Sequence, residues 1–252
     1  MVHGLEMFQT YFRGHTHQYV FIGGTACDIL LGDLGVPFRA TKDLDMVLII
    51  ETLDRSFGEK FWEFINDGGY EHREKAHGEN QYYRFSRPKV QYYPSMIELF
   101  SRKPNDLHLK FENGLAPLHI DDDMVSLSAI LLNDEYYECL LRGMQVIDGY
   151  SVIDMETVIL FKIKAWLDLT EKLDNGMHVD ADNIRKHKND IFRLLANVSP
   201  SVRFEISGEI SRDLTLFLER INHDRPDLKN LGVRGTSVEE QIELLGNIYL
   251  RI

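Results

Sequence analysis

The chain has 252 residues, of which 44% are hydrophobic and 27% are charged, and its formal net charge is −12 at pH 7. That length suffices for one large domain or two modest ones, and the composition is ordinary for a globular protein. The acidic balance argues against broad, nonspecific nucleic-acid binding, although one local basic cleft would still admit an RNA end. No apolar run approaches the roughly 20 residues that span a bilayer, and the N-terminus lacks a signal-peptide pattern. We therefore expect a cytoplasmic protein without a membrane partner.

Helix and strand signals alternate in the first part of the chain. Apolar residues at helical spacing predict helices over 4–14, 25–34 and 53–66. Short apolar runs predict strands over 19–22, 44–50, 81–85 and 96–100, with further short strands over 138–153.

The pattern changes near residue 154, after which only helices are predicted. They cover residues 155–172, 181–197, 203–222 and 237–252. The sequence thus predicts two domains, an α/β domain over 1–150 and a helical C-terminal domain over 151–252.

A double glycine followed by two alternating aspartates is the most informative feature. Gly23 and Gly24 lie between a predicted strand and a predicted helix, and Asp43 and Asp45 open the predicted strand that follows. Side chains at i and i+2 of a strand point to one face, so the two carboxylates converge. Because such carboxylates repel unless a cation lies between them, the pattern predicts a magnesium-dependent phosphoryl or nucleotidyl transfer site.

A third acid is expected on a neighbouring strand, and Glu98 is the best candidate. It stands in the middle of the apolar predicted strand 96–100, where a buried charge is costly without a partner. A cation shared with Asp43 and Asp45 would be that partner. The alternative places Glu98 on an exposed edge.

The double glycine can serve as a phosphate cradle. Glycine lets a backbone approach a phosphate closely, and the N–H groups at the start of the next helix point toward an anion. An ordinary strand-to-helix turn is the alternative interpretation of Gly23 and Gly24.

Together these blocks resemble the DNA polymerase beta-like nucleotidyltransferase superfamily. The matching residues of the α/β part are Gly23, Gly24, Thr25, Arg39, Thr41, Asp43, Asp45 and Glu98. Later blocks are similar to the AbiEii/MenT-like group of toxin nucleotidyltransferases, with Lys162 in the first block and Asp190 in the second. Two departures stand beside Asp190, where Asn189 and Arg193 replace residues typical of that group.

The resemblance implies an α+β fold with a mixed sheet, flanking helices and a C-terminal helical bundle. It also implies an NTP substrate and Mg²⁺ or Mn²⁺ held by Asp43, Asp45 and Glu98. Gly23, Gly24, Thr25, Arg39 and Thr41 would bind the nucleotide. Pairing with a nearby acid is the alternative for Arg39.

Lys162 is expected to neutralise phosphate oxygens, and Asp190 to orient it by a charge-assisted hydrogen bond. The alternatives are a surface lysine whose stem covers apolar neighbours and a solvent-facing helix acid. The sequence leaves open whether Lys162 or Lys164 faces the site.

The implied acceptor is a hydroxyl group on an RNA 3′ end, a protein or a small molecule. The AbiEii-like blocks add a toxin role with an antitoxin partner, whereas the acidic charge favours a protein or a small molecule. Two other functions stay open: a catalytically inactive nucleotide-binding module of the same fold, and a protein-interaction component in which the acids are structural.

Overall fold

The computed structural model describes residues 2–77, 80–102, 130–131, 133–206 and 208–250. These residues belong to two compact units. The first consists of Met1–Leu132 with Met144–Asp154, and the second of Asn133–Gly143 with Met155–Ile252. Each unit has its own hydrophobic core.

The first unit combines one sheet with three described helices. Its elements are α1 (Leu5–Phe12), β1 (Tyr19–Phe21), α2 (Gly23–Asp33), β2 (Asp43–Leu48), α3 (Arg55–Gly68), β3 (Glu71–His77), β4 (Asn80–Ser86), β5 (Met96–Ser101), β6 (Met144–Ile147) and β7 (Tyr150–Ile153).

Seven strands of the described chain form the sheet, in the order β3-β4-β5-β2-β1-β7-β6. The pairs β2–β5 and β1–β7 are parallel, and the other neighbours are antiparallel. The predicted mixed sheet is therefore confirmed. Strand β2 lies near the middle, between β5 and β1, so its residues can meet groups from both neighbours.

An aromatic cluster joins α1 to α3. Phe8 and Phe12 of α1 contact rings of α3, with 5.2 Å between the ring centroids of Phe12 and Phe57 and 5.6 Å between those of Phe8 and Phe64. All four rings are buried, and each such side chain contributes about 1.5–3 kcal/mol. Helix α3 begins where the Asp54 carboxylate accepts a hydrogen bond from the Phe57 N–H at 2.9 Å.

The described regular elements of the second unit are all helices. Its helices are α4 (Asp134–Arg142), α5 (Met155–Asp174), α6 (Ala181–Leu195), α7 (Gly208–Ile221) and α8 (Val238–Tyr249). Trp166 of α5 meets Phe217 of α7 edge-to-face at 5.2 Å, which buries the apolar stripes of both helices. The predicted α+β fold with a C-terminal helical bundle is confirmed. No described helix combines the length and apolarity that crossing a membrane requires.

Three local predictions need correction. Residues 138–142 belong to the region 138–153 in which the sequence predicts short strands, but they end the helix α4, whose first turn is capped by Asn133 accepting from the Tyr136 N–H at 3.1 Å. Strand β3 was missed because its residues are mostly charged. Helix α2 begins at Gly23 rather than at residue 25, so the double glycine forms its first turn.

Candidate functional site

The first turn of α2 is tied to the beginning of β2 by backbone and side-chain hydrogen bonds. Thr25 Oγ1 donates to the Asp43 carbonyl at 2.9 Å and accepts from the Asp45 N–H at 3.3 Å. The Ile22 N–H donates to the Asp45 carbonyl at 3.1 Å. Thr25, predicted as a nucleotide-binding residue, thus fixes the spacing between the glycine turn and the two aspartates.

The Asp45 carboxylate lies against the N-terminus of α2. Its Oδ2 accepts a hydrogen bond from the Gly24 N–H at 3.1 Å. A carboxylate is stabilised there because the free N–H groups and the helix dipole favour negative charge. The amide expected to cradle a phosphate is therefore engaged by Asp45 in this structure.

Only glycine fits at this contact. Gly23 has a φ of +58°, and a Cβ there would lie 2.2 Å from Asp45 Oδ2. A Cβ at Gly24 would lie 2.6 Å from Thr41 Oγ1. Both glycines thus let side chains of the β2 region approach the backbone of α2 directly, which an ordinary strand-to-helix turn does not require.

The three predicted acids share one face of the sheet. Asp43 and Asp45 alternate along β2, and Glu98 of β5 is the direct partner of Asp45 in the parallel register. Residues paired in this way point to the same side of a sheet. Glu98 is 8% exposed, and β5 lies between β4 and β2, so the alternative of an exposed edge position is wrong.

Glu98 already has a cationic partner, Arg84 of β4. Arg84 Nε donates to Glu98 Oε1 at 2.8 Å, and a terminal guanidinium nitrogen lies 2.5 Å from the same oxygen. Sequence reasoning missed this residue. The available signal was a lone arginine in the apolar predicted strand 81–85, but its register with Glu98 could not be known from the sequence.

This ion pair bears on metal binding. Among the described residues, no group of three or more histidine, cysteine, aspartate or glutamate side chains is placed to hold a metal ion. The donor chemistry of the shared face is nonetheless that of a hard cation, because it consists of carboxylate oxygens. Asp43 and Asp45 suit Mg²⁺ or Mn²⁺ as a pair, whereas the charge of Glu98 is offset by Arg84.

Arg39 and Thr41 lie in the segment that leads into β2. The Thr41 side chain borders Gly24, so it is close to the α2 N-terminus. The Arg39 guanidinium lies 5.1 Å from the centroid of the Phe38 ring. The structure therefore places Thr41 beside the glycine turn, and Arg39 four residues before the start of β2.

Lys162 and Asp190 lie in the helical unit, on α5 and α6. Lys162 Nζ is 3.0 Å from Asp190 Oδ2, and Arg193 reaches the other oxygen at 3.4 Å. The exposed fractions of the Lys162 and Asp190 side chains are 7% and 0%, so the alternatives of a surface lysine and a solvent-facing acid are wrong.

Lys164 lies among acids of the same unit. Its Nζ is within 3.5 Å of Asp168, Glu209 and Asp213. Burial lowers the pKa of Lys164, but the three carboxylates outweigh it and hold the pKa above its ordinary value. Lys164 is therefore a cation surrounded by its own counter-charges.

Comparison with known proteins gives only distant likenesses. No family model matches the chain, and no curated protein matches it. Among solved structures, an antigenic nucleotidyltransferase-like protein from Paracoccidioides brasiliensis is 16% identical with a TM-score of 0.42, covering 92% of this chain and 94% of that one.

Two structures from Helicobacter pylori are each 14% identical with a TM-score of 0.32. One is described as a putative nucleotidyltransferase, covering 97% of this chain and 91% of that one. The other is JHP933, covering 97% and 88%. Likenesses at this level assign neither a family nor an activity, so the functional argument depends on the chain's own residues.

Proposed function

We propose that this protein is a metal-dependent nucleotidyltransferase that moves a nucleoside monophosphate from an NTP to a hydroxyl group. The observation that carries the proposal is the position of Asp45. Its carboxylate lies at the N-terminus of α2 and on the same sheet face as Asp43 and Glu98. A helix N-terminus, which favours anions, and a sheet face that carries three carboxylates therefore adjoin at Asp45.

The proposal assigns Asp43 and Asp45 as the principal ligands of Mg²⁺ or Mn²⁺, with Glu98 as the third acid. When bound, such an ion neutralises charge on phosphate oxygens and polarises the phosphoryl group. The residues of the chain position the substrate. Thr25 and the Gly24 amide hold the aspartates in place, and the missing side chain of Gly23 lets Asp45 lie directly against the first turn of α2.

Arg39 and Thr41 complete the nucleotide side of the proposed site. Arginine neutralises phosphate oxygens and donates hydrogen bonds to them in a fixed geometry. The position of Thr41 beside Gly24 supports contact with the same phosphate group. Neither role requires a group outside the sheet unit.

The acceptor classes are the end of an RNA chain, a protein hydroxyl and a small hydroxylated molecule. The toxin role with an antitoxin partner, which the AbiEii-like blocks imply, belongs to the same proposal. Its test is growth arrest on expression of the wild-type chain that Asp43→Ala abolishes. A partner that binds the chain tightly and restores growth would be the antitoxin.

A second candidate is a nucleotide-binding module without catalysis. The Arg84–Glu98 ion pair favours it, because a permanent cation beside the third acid reduces the need for a metal. The contact of Arg193 with Asp190 also replaces an acid of the family pattern by a cation. Such a module would bind nucleotide equally well in magnesium and in chelator.

Label transfer from α-labelled NTPs tests the main proposal. The reaction contains the protein, Mg²⁺ and one acceptor class at a time: RNA, protein or small alcohols. Asp43→Ala is compared with wild type and with Asp33→Ala, which alters an exposed aspartate at the end of α2. We expect wild type and Asp33→Ala to transfer label and Asp43→Ala to lose at least about a hundredfold in rate. Equal transfer by wild type and Asp43→Ala would contradict the proposal.

A further inference from the structure

A cavity of about 460 Å³ opens beside Asp43, and we call it the Asp43 cavity. It lies at the end of the sheet where β4 finishes and β5 starts, because Ser86 and Met96 line it. His3, Lys42 and Arg87 contribute the basic side chains of its wall. The volume falls in the range of small-molecule sites.

The wall of this cavity is held in place by contacts that need no ligand. Residues 87–95 connect β4 to β5, and the Tyr70 hydroxyl donates to the Pro94 carbonyl at 2.6 Å in a buried hydrogen bond. The Lys89 N–H donates to the Gly68 carbonyl at 2.9 Å. Gly4, whose φ is +79°, packs so closely that a Cβ there would lie 2.3 Å from the Pro94 nitrogen. The cavity is therefore preformed, which lowers the cost of binding.

Lys42 and Arg87 place two cations beside the carboxylate of Asp43, so the wall has a net positive charge in an acidic chain. Lys42 is exposed, so its ammonium group is accessible to a ligand. Arg87 reaches Glu71 only at 3.4 Å, with 73% of its side chain exposed, so that pair is weak. In a protein of net charge −12, two loosely held cations at one cavity favour an anionic ligand.

The backbone at Arg87 adds an independent observation. Its φ is +53°, an unfavourable conformation for a residue other than glycine, and Pro88 follows directly. Strained residues of this kind persist where the surroundings determine them, and they cluster at ligand sites. Here the strain lies at a residue whose side chain lines the cavity.

The sheet order separates this cavity from the glycine turn. Gly23 and Gly24 follow β1, which pairs with one side of β2, whereas the cavity belongs to the ends of β4 and β5 on the other side. Asp43 at the start of β2 is common to both, because it lines the cavity and its carbonyl binds Thr25. A second substrate in the cavity would thus be next to the carboxylates without occupying the nucleotide side.

We infer that the Asp43 cavity binds a phosphate group of the acceptor, with Lys42 and Arg87 as its cationic contacts. The inference rests on the proposed function and narrows the acceptor to a hydroxyl compound that carries phosphate close to its hydroxyl. Two sources share this chemistry, the 3′ end of an oligonucleotide and a small phosphorylated alcohol. Lysine supplies a point charge and arginine a planar pair of donors to the phosphate oxygens.

The test is a binding measurement on the full chain with two probes. A 5′-fluorescein pentaribonucleotide with a free 3′ hydroxyl is titrated by fluorescence anisotropy, and ribose 5-phosphate is the small competitor. The variants are Lys42→Gln, Arg87→Gln and the double variant. Lys89→Gln is the matched control, because Lys89 is exposed on the same loop and does not line the cavity. A saturating non-hydrolysable NTP with Mg²⁺ fills the nucleotide side in a parallel series.

We expect saturable binding of the labelled oligonucleotide by anisotropy, or of ribose 5-phosphate by calorimetric titration, that persists with the NTP analogue present. The double variant should weaken it at least about tenfold, and Lys89→Gln should stay within about twofold of wild type. Displacement of the oligonucleotide by ribose 5-phosphate would identify small phosphates as sufficient. Unchanged affinity in the double variant, or no saturable binding of either probe, would overturn the inference.

Kinetics separates this inference from the proposed function. If label transfer occurs and the KM for acceptor is the same in the double variant as in wild type, the inference fails and the proposed function stands. If no label is transferred but the double variant still binds the phosphate probes more weakly than wild type, the proposed function fails. The assignment of the cavity as a phosphate-binding site then stands.

Discussion

Arg84 and Glu98 face each other across β4 and β5, and Glu98 Oε1 lies within 2.8 Å of two guanidinium nitrogens of Arg84. The side chains are 16% and 11% exposed, so little solvent screens the pair. This contact explains how a carboxylate persists in the interior of an apolar sheet. It also determines how strongly Glu98 contributes to any cation held by Asp43 and Asp45.

Arg84→Met removes the guanidinium group that faces Glu98, and it therefore tests whether Glu98 can contact a bound metal cation. Without metal, we expect the free energy of unfolding to fall by about 2–3 kcal/mol, because an uncompensated carboxylate stays in the sheet. Mn²⁺ should restore part of this loss and bind at least about fivefold more tightly than to wild type. Denaturant titrations with and without Mn²⁺ measure both effects.

Arg55→Met is the control for that variant, because Arg55 pairs with Glu59 on α3 with 93% of its side chain exposed. Its effect should stay below about 0.5 kcal/mol. If Mn²⁺ stabilises Arg84→Met no more than wild type, Glu98 does not belong to a cation site.

Gly23→Ala should damage the contact between α2 and Asp45. The added Cβ would overlap Asp45 Oδ2, and the φ of +58° is strained for alanine. We expect a loss of about 1–3 kcal/mol in stability and of nucleotide affinity. Calorimetric titration with nucleotide and a thermal unfolding curve give the two values.

Gly32→Ala offers a matched comparison within α2. No atom lies within 4 Å of a Cβ built there, so alanine should stabilise the helix by about 0.5–1 kcal/mol and leave nucleotide affinity unchanged. Equal behaviour of the two alanine variants would show that the close approach at Gly23 has no functional consequence.

The Lys162–Asp190 ion pair predicts a large stability effect. Asp190→Asn leaves the Lys162 ammonium group buried without its carboxylate, which should cost about 3–5 kcal/mol. Lys162→Met with Asp190→Leu should recover much of the loss, because neither variant side chain is charged. Urea titrations of Lys162→Met, of Asp190→Leu and of the double variant yield the coupling energy.

The same variants test a role of Lys162 in binding phosphate. If the double variant is stable and its affinity for nucleotide equals that of wild type, the pair is structural. If affinity falls while stability is recovered, the role implied by the family resemblance is supported.

Two ionisable groups of the helical unit, Tyr136 and Lys164, should make its folded state less stable at high pH. The Tyr136 hydroxyl donates to Asp213 at 2.9 Å. Burial, and to a lesser extent the charge of Asp213, raises the pKa of the Tyr136 hydroxyl above its ordinary value of 10.0. The pKa of Lys164 is also raised, from 10.5, where its carboxylate neighbours outweigh burial. A group whose folded pKa is raised stabilises fully below its unfolded pKa and loses that contribution as pH rises.

We therefore expect the free energy of unfolding to decline above about pH 10. Tyr136→Phe should show a shallower decline than wild type, because one group that ionises only after unfolding is gone. Denaturant titrations between about pH 8 and about pH 11 measure the two slopes. Identical slopes would exclude a contribution of Tyr136.

Sequence reasoning succeeded where a local pattern determines structure. The glycine turn, the alternating aspartates and the apolar strand 44–50 each follow from neighbouring residues, and β1, α2 and β2 form as predicted in type. Prediction from the sequence failed where a strand forms because it pairs with another strand. The charged residues of β3 have no strand pattern, and their conformation follows from backbone pairing with β4.

The candidate site likewise contains residues that the sequence predicts and residues that it does not. Asp43, Asp45 and Glu98 could be grouped from spacing and strand type, and the structure places them on one sheet face. The partner of Glu98 could not be predicted, because Arg84 meets it only through the register of β4 with β5. For the same reason the cations of the Asp43 cavity come from separate segments and leave no contiguous motif.

In the proposed function, Asp43 and Asp45 hold a divalent cation against the phosphates of a nucleotide. A crystal soaked with Mn²⁺ and a non-hydrolysable NTP tests it most directly, through the anomalous scattering of manganese. We expect a manganese peak in contact with oxygens of both aspartates and of the nucleotide's phosphates, beside the first turn of α2. Nucleotide bound without manganese at these carboxylates, or manganese bound elsewhere, would contradict it.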